Sequence, residues 1–115
     1  VQLAFSADAG ATFGAPVRID GGAAAGRVDV EVLDDGAALV TWMEDVGSGQ
    51  NEVRVRRVAA DGTPGAPSTL AKLTGGRATG FPRMVRAGDR VVFAWTEPGT
   101  PSRVHTAVAP LGGAE

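Results

Sequence analysis

The chain has 115 residues, a formal net charge of −2 and a hydrophobic content of 43%, with a pI near 5.3. That is one domain's worth of chain, with no excess of basic residues to meet nucleic acid or an anionic membrane. It has no cysteine, which excludes disulfides and thiolate metal sites, while its 17 Gly and 7 Pro exceed a fifth of the residues and favour short strands and tight turns over disorder.

In chain order, Val1-Gln2-Leu3-Ala4-Phe5 reads as the middle of a strand, with none of the basic or long apolar character of a signal peptide. The next stretch, Ser6-Ala7-Asp8-Ala9-Gly10-Ala11-Thr12-Phe13, reads as a tight turn. An Asp there accepts bonds from backbone N–H groups just ahead of it, Gly supplies a positive φ, and Ser and Thr close further local bonds. Phe13 is expected to anchor the turn on the core. An outer strand follows around Pro16-Val17-Arg18-Ile19, and the Gly/Ala run at 21–26 reads as a crossover.

A strand is expected at 28–33, then an Asp34-Asp35-Gly36 hairpin, a strand at 38–44, a loop at 45–51 and a strand at 52–59. In the last of these, Val53 and Val55 alternate with Arg54 and Arg56, the period-two pattern of a half-buried strand. Asp61-Gly62-Thr63 is a turn, an outer strand lies near 67–71, residues 72–79 cross over, and 80–108 carry three more strands. No helical periodicity and no apolar run near the ~20 residues of a membrane helix occurs.

Two parts of this pattern repeat. Residues 26–44 align with 80–97, placing Trp42 and Trp95 53 residues apart, and Gly14-Ala15-Pro16 recurs as Gly65-Ala66-Pro67 51 residues on. A period near 50 with about four strands per unit is the spacing of β-propeller blades. The fold expected is therefore all-β, with propeller blades divided as 1–20 (the end of one blade), 21–71 (a complete blade) and 72–115 (three strands of the next). A β-sandwich of about eight short strands is the alternative.

The stretch from Ser6 to Phe13 resembles the Asp-box of the sialidase-like (BNR-repeat) β-propellers, on Ser6, Asp8, Gly10, Thr12 and Phe13. The likeness covers most of the chain and is closest to exported bacterial proteins of six blades. It implies that the box is structural, that the protein is secreted or periplasmic, and that this is the C-terminal part of a propeller. Sialidases of that family hold a substrate carboxylate with three arginines and use a Tyr–Glu pair as nucleophile with an Asp as acid/base. This chain has no Tyr, and Phe81-Pro82-Arg83-Met84 carries the residue types of the family's Phe-Arg-Ile-Pro motif in another order.

No catalytic residue is therefore assigned, and no cofactor or metal is expected. The candidate ligand groups are Arg27, Asp29 and Arg83, on the inner strands where a propeller's channel lies. A guanidinium is a planar fork suited to the carboxylate of an acidic sugar. The competing reading is that Arg27, Asp29 and Glu31 pair among themselves and with their neighbours. Trp42 and Trp95 are read as packing between blades, Glu44 and Glu97 as repeated structural groups, and His105, without a metal-ligand partner, as surface or packed. The glycine-rich 75–80 precedes a strand, so it is no phosphate loop.

The function expected is a structural or carbohydrate-binding segment of a sialidase-like propeller. One alternative is part of a glycoside hydrolase completed elsewhere, and another is a protein-interaction scaffold. The expected partners are an acidic or neutral glycan, and other blades from the parent chain or from self-association, for instance as a homotrimer.

Overall fold

The computed structural model describes residues 1–74 and 80–110. Among these residues nine strands run β1 Gln2–Leu3, β2 Val17–Arg18, β3 Ala24–Val32, β4 Ala38–Gly47, β5 Gln50–Val58, β6 Ser68–Thr74, β7 Gly80–Ala87, β8 Arg90–Glu97 and β9 Arg103–Pro110. They form three antiparallel sheets of two, four and three strands, each with its strands in chain order. The protein is all-β, with no helix among the described residues.

Local chemistry sets the hairpins. At Asp34-Asp35-Gly36, Leu33 and Ala37 close the ladder at 2.8 Å, and the Asp35 carboxylate accepts the Ala37 N–H at 3.0 Å. The loop expected at 45–51 is much shorter, because β4 and β5 pair as far as Gly47 and Gln50. Only Ser48 and Gly49 lie between them, with φ of 55° and 72°. Two central residues of positive φ match the right-handed twist of the flanking strands. The crossover is also shorter than expected. Ala24 and Gly26 already pair with Glu44 and Met43, across a register shift that ends at Asp29.

The three sheets pack face to face with β4 in the middle, and β4 is buried continuously from Ala38 to Glu44. A strand covered on both faces needs apolar residues at successive positions, not only alternate ones. One side sends Val40 and Trp42 against Ile19 and Val58, with Val1, Leu3, Phe5 and Val17 of the first segment packed around them. The other sends Leu39 against Met84, Val91 and Phe93 of the third sheet. Met43 joins Val53 and Leu73, and Trp95 packs against both of these third-sheet-facing clusters. The two tryptophans thus sit between sheets, as expected of packing residues.

Phe13 does not anchor the turn on the core, being 63% exposed. Phe5 takes that place. Its carbonyl accepts the Gly14 N–H at 2.8 Å, and its ring packs on the Trp42 cluster.

The link from the first sheet to the second is held by two buried carboxylates. Glu44 Oε1 accepts the Gly21 N–H and the Trp42 indole N–H, both at 2.9 Å, and Oε2 accepts the Ala23 N–H at 2.8 Å. Burial favours the neutral acid, but the Gly21, Trp42 and Ala23 donors with nearby Arg54 outweigh it and hold the Glu44 pKa below its ordinary value. Asp20 accepts the Gly22 N–H at 3.0 Å and Arg18 at 3.1 Å, and its Oδ1 faces the Val1 backbone nitrogen.

Candidate functional site: the seam between the inner strands

In β3 the side chains alternate. Val28, Val30 and Val32 are 57%, 48% and 65% exposed, whereas Arg27, Asp29 and Glu31 are half-buried. Asp29 and Glu31 lie on the side of the middle sheet that carries Leu39 and Val55, towards the third sheet. The sequence pattern identifies two faces. The packing makes the charged one a joint between sheets.

Asp29 is the clip of that joint. Its Oδ1 accepts the N–H of Val30 on its own strand at 2.9 Å. Its Oδ2 accepts the N–H of Met84 on β7, also at 2.9 Å. Arg83 Nε approaches the same Oδ2 at 3.6 Å, with its side chain 83% exposed. Asp29 and Arg83 are therefore brought together, but their roles differ. Both oxygens of Asp29 are occupied by backbone donors, while the outer Nη edge of Arg83 has no partner among the described residues. Arg27 stands at the bulge before Asp29 with a φ of 57°.

Further along the seam, Arg86 Nη1 donates to Asp34 Oδ1 at 2.6 Å, and its Nη2 contacts Oδ2. This two-point pair, together with the charge attraction of Arg86, lowers the Asp34 pKa. The Asp34 bonds, with a further contribution from Glu31, raise that of Arg86. Sequence reading missed this clamp, although a signal for it exists. Arg86 and Asp34 are 52 residues apart and Met84 and Asp29 are 55 apart, close to the repeat period. Opposite charges one repeat apart on inner strands are candidates for joints between sheets.

The box turn at Ser6–Phe13 closes as its residue types suggest. Asp8 Oδ1 accepts the Thr12 N–H at 2.8 Å and Oδ2 the Thr12 hydroxyl at 2.5 Å. Ser6 Oγ donates to Asp8 Oδ1 and accepts the Gly10 N–H, both at 2.8 Å. Gly10 has a φ of 90°. The Thr12 hydroxyl first, then the Thr12 amide and Ser6, lower the Asp8 pKa from 3.8 to about 2. The turn is exposed from Ala7 to Phe13.

The other singled-out residues are structural in their contacts. Glu44 is enclosed, as described above. Glu97 is 52% exposed and lies 3.0 Å from His105, whose ring stacks on Trp95 at 5.9 Å. Among the described residues no group of three His, Cys, Asp or Glu could hold a metal ion. The glycine-rich 75–79 lies outside the described residues.

Fold and seam together define an all-β protein of stacked antiparallel sheets joined through inner-strand charges. Compared with protein-family models, curated proteins and solved structures, the chain has no match.

Proposed function

We propose that this chain is a non-catalytic segment of a secreted or periplasmic sialidase-like β-propeller, in which the seam between β3 and β7 binds the carboxylate of an acidic glycan. The observation that carries the reading is the arrangement of three sheets, each antiparallel and in chain order, stacked face to face. A two-layer sandwich has no middle sheet covered on both sides. The turn closed by Asp8 lies between β1 and β2, where the box of such a blade belongs. Further sheets, from a longer chain or from other copies, would cover the exposed Val28, Val30 and Val32 and the outer face of the third sheet.

Within this reading Arg83 is the ligand-contacting group and Asp29 positions it. With Nε turned to Asp29 at 3.6 Å, the guanidinium leaves its two Nη groups to a carboxylate as a fork. The test is titration of N-acetylneuraminic acid and of neutral galactose into the protein, followed by amide NMR. Shifts of β7 and β3 amides with the acidic sugar, abolished in Arg83→Ala, are expected. Equal shifts with both sugars, or undiminished shifts in Arg83→Ala, would overturn the carboxylate site. Light scattering of the same sample tests association, since a strict monomer at all concentrations would remove other copies as the source of the covering sheets.

A further inference from the structure

We draw no further inference here: the strongest candidate, the outer face of the third sheet where Val85, Val104 and Val108 stand exposed, belongs to the stacking already proposed, and nothing in the structure shows what covers it.

Discussion

Replacing Glu44 tests whether the link between the first two sheets depends on one buried carboxylate. In Glu44→Gln the shape is kept, but an NH2 group replaces one of the oxygens that accept Gly21, Trp42 and Ala23. At least one of these donors loses its acceptor, and the charge that strengthens the remaining bonds is gone. Hydrogen bonds to a charged group contribute about 1.5–3 kcal/mol, and a stranded buried donor costs about 1–3 kcal/mol. The expected loss is about 2–3 kcal/mol for Gln and about 4 kcal/mol for Ala, a large share of the ~5–15 kcal/mol that holds a domain folded. Glu97 occupies the equivalent repeat position, but it is half exposed, and its ion-pair contact among the described residues is with His105. Glu97→Gln should therefore change stability by no more than about 0.5 kcal/mol. Urea denaturation followed by tryptophan emission measures both. The Glu44 contribution should also depend on pH in a defined direction. Because its folded pKa lies below the ordinary 4.5, the stabilisation is fully present above that value and is lost as pH falls through the folded pKa. Equal effects at Glu44 and Glu97, or a Glu44→Gln protein as stable as the parent, would refute the reasoning.

The remaining expectations concern the seam, the core and the turn. Thr41 is fully buried on β4, and its hydroxyl has no hydrogen-bond partner among the described residues. Thr41→Val should raise stability by about 1 kcal/mol, and a melting temperature no higher than the parent's would contradict this. Asp29→Ala removes the clip between β3 and β7 and should cost about 2 kcal/mol, whereas Arg83→Ala, altering an exposed side chain, should stay within about 0.5 kcal/mol. Chemical denaturation of both variants separates them, and the reverse order would sink the division of roles. In the box turn, the Asp8 bonds are present above pH 3.8 and lost as pH falls through about 2. The Thr12 amide resonance should titrate with Asp8, and its hydrogen exchange should quicken in Asp8→Ala. An amide indifferent to both changes would show that the carboxylate does not hold the turn.

The strands and turns were legible in the sequence because their causes are local. Period-two alternation in Val53–Arg56 marks a strand wherever it lies, and the residue types of Ser6, Asp8, Gly10 and Thr12 suffice to close their own turn. The repeat of Trp42 at Trp95 exposed the unit from which the sheets are built. Loop 45–51 was read too long because Asp45, Gly47 and Asn51 are poor strand formers by propensity, and cross-strand pairing overrode that preference. Arg27, Asp29 and Glu31 were recognisable as one face of a strand, but the row does not say what it will meet.

Tertiary structure decided those meetings. Phe5 and Phe13 are both aromatic residues beside the turn, and only the packing of the first sheet on Trp42 chose Phe5. Glu44 and Glu97 are equivalent in the repeat, yet Glu44 collects three donors because the Gly21–Ala23 backbone is folded over it, while among the described residues Glu97 meets the His105 imidazole. Asp29 became a clip when β7 brought the Met84 N–H within reach. A periodic sequence specifies which residues share a face, since that depends on backbone geometry alone. What each face binds depends on the approach of chain roughly fifty residues away, and that is set only when the sheets stack.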